Sequence, residues 1–238
     1  MTHSDSTQLV PTADGGRMPS FVALPSSGRG PGVIVLQEIF GVTDYIKQRA
    51  RDLAALGYVA LAPQLYWRLG SDIEVPENTP DGLQQALGYM QRLDEAQAVR
   101  DAAAALDHAR KMPETGGKAG VLGFCMGGRL AFMLAAATKP DVVVSYYGSG
   151  IAAQLDKAAQ ITAPIIFHFG ADDAYLPVSE AEQIRSAFSS HPACEIHMHE
   201  SAGHAFDNPS PMFHNPQASR EAWPLTTAFL QRHLPPSP

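Results

Sequence analysis

Little of this 238-residue chain is charged, aromatic or sulfur-bearing: Asp, Glu, Lys and Arg make up 17%, Phe, Trp and Tyr 8%, and there are two cysteines. Cys125 and Cys194 are too few for a disulfide framework. Basic residues number 17 against 24 acidic ones, a net charge of −7, and no run of Lys or Arg occurs. That balance argues against a nucleic-acid partner, which needs a clustered basic face. The longest apolar run, residues 130–137, falls far short of the ~20 residues of a membrane span. The first residues, MTHSDSTQLVPTADGG, lack the apolar stretch of a signal peptide. The expected compartment is therefore the cytoplasm, with no membrane partner and a monomer as the default state. With 20 glycines and 19 prolines the composition stays below that of low-complexity chains. One α/β domain over residues 1–238 is expected.

What the chain does have is an alternation of short apolar runs with helical patterns. Residues 33–36 (VIVL), 59–62 (VALA), 119–122 (AGVL), 142–147 (VVVSYY) and 165–169 (IIFHF) are continuous enough for strands buried on both faces. Residues 194–200 alternate apolar Cys194, Ile196 and Met198 with polar Glu195, His197 and His199, which predicts an edge strand with one solvated face. Helices are expected over 44–56, stopped by Gly57, over 95–111 and over 128–138. Two more are expected from Ser179, where Glu182 completes a capping box, and over 219–233. The order implies an α/β fold: a mostly parallel sheet with helices on both faces and functional loops at the carboxyl ends of the strands. The long connection from Pro63 to Gly82, with Tyr66 and Trp67 inside it, is either a lid or a solvated insertion.

Chemistry concentrates on those strand ends. The third buried strand runs into Gly123-Phe124-Cys125-Met126-Gly127-Gly128 and directly into a helix, the setting of a nucleophile elbow with sulfur in place of the usual serine oxygen. A side chain at Gly123 or Gly127 would collide with neighbouring backbone, and the helix N-terminus stabilises negative charge on the sulfur. A base and its orienting acid are expected later in the chain. His204 follows the last strand, and either Asp172 or Asp173 follows the fifth, with the spacing to Pro177 favouring Asp173. His197 and His199 could join His204 in a metal site, but no acid or cysteine completes it, and a solvated strand face accounts for the pair more simply. After the first buried strand, the loop at Gln37-Glu38-Ile39-Phe40 is placed to supply an oxyanion donor from Ile39, the second coming from Met126. Glu38 is awkward beside a thiol and an oxyanion unless it takes the proton from sulfur.

Taken together, Q-E-I-F-G-V (37–42), G-F-C-M-G-G (123–128), Y-Y-G (146–148), G-x-x-D-x-x-x-P (170–177) and A-G-H-x-F (202–206) make the chain resemble the dienelactone hydrolase family of α/β-hydrolases. The resemblance implies a Cys125, His204, Asp173 triad, Glu38 accepting the thiol proton, and hydrolysis of a small lactone or ester through an acyl-thioester without metal or organic cofactor. The substrate-binding residues are expected among Phe40, Leu83, Leu87, Tyr147, Phe206 and Asn208. Members of the family bind a substrate carboxylate with two arginines; Asn208 stands at one of those places, and Leu83 and Leu87 stand where an arginine and a tyrosine are expected. Arg68, Arg92 and Arg129 do not fall at those places. A neutral ester or lactone is therefore the expected substrate. An esterase or thioesterase of other specificity, and a hydrolase-fold binding protein without turnover, are the alternatives.

Overall fold

A computed structural model describes residues 4–236 of the chain. Its centre is an eight-stranded sheet in the order β1-β2-β4-β3-β5-β6-β7-β8, formed by β1 (Ser4–Pro11), β2 (Arg17–Leu24), β3 (Gly32–Leu36), β4 (Val59–Pro63), β5 (Ala119–Phe124), β6 (Val143–Tyr146), β7 (Ile165–Gly170) and β8 (Cys194–His199). From β4 to β8 the neighbours are parallel, while β1 and β2 form an antiparallel hairpin that adds to β4. β3, β4, β5, β6 and β7 are buried along their whole length. That is why they read as unbroken apolar runs. The hairpin went unpredicted, because β1 is exposed at nearly every position and carries no two-residue apolar period.

Helices cover both faces: α1 (Asp44–Ala55), α2 (Pro80–Arg92), α3 (Glu95–Lys111), α4 (Met126–Ala137), α5 (Val178–Ala187) and α6 (Pro216–His233). Asp94 caps α3 through the Gln97 N–H, and basic residues close its last turn, as the helix dipole favours. α6 begins earlier than the sequence predicts, because Asn215 caps it with bonds from the Gln217 and Ala218 N–H groups. The capping box expected from Ser179 and Glu182 does not form. α5 starts one residue sooner, behind Pro177, and Glu182 turns instead to Arg185 at 3.3 Å. Among the described residues no helix is long and apolar enough to cross a membrane.

Two expectations about exposure change. β8 is at the sheet edge, and its histidine face is only partly solvated. α6 covers it: His199 is 3% exposed, and its ring and that of His197 stack on His168 of β7. Thr226 of α6 completes the arrangement with a 2.9 Å bond to His168 Nε2. The segment after β4 is equally tied down. Tyr66 Oη donates to the Ile39 carbonyl at 2.9 Å, Trp67 Nε1 to Asp101 at 2.8 Å, and the Val75 N–H to the Phe40 carbonyl at 2.9 Å. Its last residues, from Pro80, become the first turn of α2; the sequence reading placed these in the long connection and assigned the rest of α2 to no element, although Thr79 before Pro80 signals a helix start. Thr79 caps that helix through the Gly82 N–H.

Candidate active site

Cys125 sits at the turn between β5 and α4 with φ +52°, a backbone region that a residue with a side chain occupies at a cost of about 1–3 kcal/mol. The glycines explain how the turn closes. A Cβ at Gly123 would lie 2.0 Å from the Gly127 carbonyl oxygen, and one at Gly127 would lie 2.3 Å from the Leu36 carbonyl oxygen. The bend is pinned by the Cys125 N–H, which donates to Tyr146 at 3.0 Å, and by the Cys125 carbonyl, which accepts from Gly128 at 2.9 Å. Both sequence-based expectations for this motif, crowded glycines and a cysteine at the helix N-terminus, are met.

The sulfur meets His204, with Sγ 3.0 Å from Nε2. On the other side of the ring, His204 Nδ1 is 2.8 Å from Asp173 Oδ2. Asp173 is 5% exposed, and its Oδ1 accepts from the Tyr175 and Leu176 N–H groups at 2.8 and 3.1 Å, so its orientation is fixed. Asp172 is exposed; its N–H donates to the Ala202 carbonyl at 2.9 Å and ties the two loops together. Burial opposes charge on the His204 ring, but the Cys125 sulfur and the Asp173 carboxylate outweigh it and hold the imidazole pKa well above the ordinary histidine value. Both His204 ring nitrogens are thus engaged by Cys125 and Asp173, and among the described residues no group of three His, Cys, Asp or Glu side chains is arranged to hold a metal.

Two backbone N–H groups lie close to this turn on different elements, one next to Cys125 in the chain and one on a residue that lines the same cavity as Cys125. Met126 is the first residue of α4, and Ile39 follows β3; neither N–H is taken by another protein group among the described residues. Gln37 sets the Ile39 N–H in place. Its Nε2 donates to the Glu38 carbonyl at 3.3 Å while its Oε1 accepts from the Leu65 N–H at 3.0 Å. Glu38 is 1% exposed, not the surface carboxylate an ordinary loop would carry. Burial and the nearby Glu77 charge push its pKa up to about 8. Its Oε2 accepts from Asn208 Nδ2 at 2.6 Å, whereas the sulfur is bonded to the imidazole and makes no hydrogen bond to Glu38.

A cavity with about 90 Å³ of free space opens onto the sulfur. Phe40, Leu83, Leu87, Met90 and Phe213 give it apolar walls, and Glu38, Cys125, Ser149, Tyr175 and His204 supply its polar atoms. Of the expected substrate-binding residues, Phe40, Leu83 and Leu87 line it. Tyr147, Phe206 and Asn208 do not, being fully buried behind the site. Tyr147 and Phe206 form an aromatic backing for His204, with the Tyr147 and imidazole ring centres 5.4 Å apart. Met90, Ser149, Tyr175 and Phe213 were missed by sequence reasoning. For Met90 a signal existed, since Leu83, Ala86, Leu87 and Met90 follow helical spacing.

A mostly parallel sheet with a cysteine elbow after β5, an acid after β7 and a histidine after β8 defines an α/β-hydrolase fold. The chain belongs to the dienelactone hydrolase family, whose model matches residues 18–234, and is an enzyme of the hydrolase class. It is 36% identical over 221 residues to a carboxymethylenebutenolidase of Pseudomonas sp. (strain P51), covering 93% of this chain and 92% of that one. It is 34% identical over 197 residues to a carboxymethylenebutenolidase of Pseudomonas putida, covering 83% and 84%. The crystal structure of a putative dienelactone hydrolase from Klebsiella pneumoniae subsp. pneumoniae MGH 78578 superposes with a TM-score of 0.84 at 28% identity, covering 97% of this chain and all of that one.

Proposed function

We propose that the protein hydrolyses a small uncharged lactone or ester by covalent catalysis, with Cys125 as nucleophile, His204 as proton carrier and Asp173 as the group that orients the ring. The observation that carries this reading is the continuous chain from Asp173 Oδ2 through both His204 nitrogens to Cys125 Sγ, 2.8 and 3.0 Å long at its two links, at the mouth of an apolar cavity.

The thiol proton passes to His204 Nε2 and sulfur bonds to the acyl carbon. The carbonyl oxygen, now negative, is held by the Ile39 and Met126 N–H groups, each worth roughly 2.7–4 kcal/mol of barrier where such donors have been removed. Collapse breaks the carbon–oxygen bond, and His204 returns the proton to the leaving oxygen. A water then attacks the acyl-thioester, giving its proton to His204, and the acid departs as sulfur leaves. No metal or organic cofactor enters this sequence.

The preference for an uncharged substrate follows from the walls. No arginine or lysine lines the cavity. Arg68 is paired with Asp101 and Asp14, Arg129 with Glu95, and Arg92 lies over the Tyr89 ring. Leu83 and Leu87 present carbon where a substrate carboxylate would need a cation, and charge-assisted bonds of that kind are worth about 1.5–3 kcal/mol. A panel of neutral aryl esters, unsubstituted lactones, thioesters and the carboxylated dienelactone, run with wild type and Cys125→Ala, tests the reading. The expected result is a kcat/KM about 10- to 100-fold higher for neutral substrates, abolished in the variant. A clear preference for the carboxylated lactone would contradict the specificity, and an active Cys125→Ala the chemistry.

A further inference from the structure

The loop that carries Ile39 belongs to no helix or strand, yet its carbonyl groups are held one after another. Gln37 Nε2 donates to the Glu38 carbonyl at 3.3 Å, Tyr66 Oη to the Ile39 carbonyl at 2.9 Å, and the Val75 N–H to the Phe40 carbonyl at 2.9 Å. The first two bonds depend on one place in the chain. Gln37 is itself fixed by the Leu65 N–H, which donates to its Oε1 at 3.0 Å, and Tyr66 is the next residue. Residues 65 and 66, just beyond β4, thus hold the peptide units on both sides of the Ile39 α-carbon. Were the unit between Glu38 and Ile39 to turn over, the Ile39 N–H would swing away and a carbonyl oxygen would take its place.

Tyr66 is a support for this loop and not part of the cavity wall. It is 1% exposed and does not line the cavity. Its Oη also lies 3.8 Å from Met126 Sδ, so one hydroxyl touches both residues assigned as oxyanion donors. A hydroxyl has one proton and a thioether is a weak acceptor, so the proton goes to the Ile39 carbonyl. The ring packs against Tyr89 of α2, with centres 5.6 Å apart. Burial raises the phenol pKa above its ordinary value, and the nearby Cys125 sulfur pushes the same way, so the hydroxyl stays a donor at any working pH.

We propose that Tyr66 is a positioning residue for the oxyanion site: its hydroxyl fixes the Ile39 backbone beside Met126, so that the two N–H groups are in place before the tetrahedral oxygen forms. It acts through those residues and not by contact with substrate. Donors held in advance are the effective ones, because a donor that must reorient during the reaction loses much of its benefit. The inference rests on the cysteine-hydrolase reading above.

The experiment compares wild type, Tyr66→Phe, Tyr66→para-aminophenylalanine and Trp67→Phe, with phenyl acetate as substrate and two probes of similar shape. To phenyl trifluoromethyl ketone the sulfur adds reversibly, the carbonyl electron pair moving onto oxygen and the thiol proton passing to His204. The corresponding secondary alcohol binds without any such addition. Phenylalanine removes the hydroxyl, para-aminophenylalanine keeps an N–H donor at the same place, and Trp67→Phe breaks only the bond of that segment to Asp101. Tyr66→Phe should lower kcat/KM and ketone affinity by about 10- to 100-fold each. It should bind the alcohol as wild type does, which also shows that it is folded. The para-amino variant should recover most of both losses, and Trp67→Phe should keep wild-type kcat/KM. Equal losses for ketone and alcohol would mean that Tyr66 merely shapes the cavity. That result, no recovery by the para-amino variant, or equal damage in Trp67→Phe would each overturn the proposal. Carbon NMR of the ketone labelled at its carbonyl separates the two levels. A tetrahedral adduct of equal affinity in wild type and Tyr66→Phe refutes only the role of Tyr66. No adduct in wild type, or the same adduct in Cys125→Ala, refutes the underlying cysteine chemistry as well.

Discussion

At the scale of single residues, Cys125, His204 and Asp173 do different things and should fail differently. Cys125→Ala removes the atom proposed to form the bond and should lower kcat by at least about 10³-fold with the fold intact. Asp173→Asn keeps the shape but disturbs the imidazole tautomer and should cost about 10²- to 10⁴-fold, mostly in kcat. Burst kinetics on an activated ester, with circular dichroism alongside, reads both; a variant of either kind at wild-type rate contradicts the assigned roles. These three residues were legible in the sequence for a mechanical reason. A cysteine at φ +52° between crowded glycines, and an acid and a histidine each just beyond a buried strand, leave local marks in the residue order. Glu38 was legible as a position but not as a state, because its raised pKa comes from burial and from the Glu77 charge, against the bond it accepts from Asn208, and these surroundings come from distant parts of the chain.

At the scale of elements, two regions carry consequences that residue patterns did not disclose. α2 forms one wall of the cavity through Leu83, Leu87 and Met90. Leu87→Arg should raise kcat/KM for the carboxylated dienelactone about tenfold relative to a neutral ester, by placing a cation in that wall. No change in the ratio would mean that α2 does not read the substrate. The second region is the contact of α6 with β7 and β8. Burial and the neighbouring histidines hold the pKa of His168 well below 6.5, and burial likewise lowers that of His199. Folded-state values below the unfolded one mean that the unfolded chain binds the extra proton first. Stability is then full above about pH 6.5 and declines as pH falls below it, by up to about 1.4 kcal/mol per pH unit for each group. Urea melts from pH 7 to 5 should show this decline, and His168→Gln should flatten it; an unchanged slope would refute the assignment. Alternation in residues 194–199 suggested a solvated face because polar histidines ordinarily face water. The covering helix comes from the end of the chain, and its Thr226 supplies the polar partner that makes burial tolerable.

At the scale of the whole molecule, one buried ion pair joins the first half of the chain to the last loop. Arg49 of α1 donates twice to Asp207, at 2.7 and 2.8 Å, and Tyr45 Oη and Ser219 Oγ donate to the same carboxylate at 2.6 and 2.7 Å. Asp207 lies three residues after His204, so this clasp holds the histidine loop against α1. Arg49→Ala leaves a buried carboxylate without its cation and should cost roughly 3–5 kcal/mol of stability, which a denaturant midpoint would report; a loss below about 1 kcal/mol would contradict it. The parallel sheet and its order of helices could be read from the residues alone, since buried strands are continuous apolar runs. The clasp could not, because its partners are 158 residues apart and each resembles an ordinary surface charge in its own segment.

The most direct test of the central claim is the mass of the protein during turnover. Rapid acid quench of wild type with a neutral activated ester, followed by peptide mapping, should find the acyl group on the peptide containing Cys125. The adduct should build up further in His204→Gln, where no base activates water. Steady turnover without any acyl group on that peptide, or with the group on another side chain, would contradict the account.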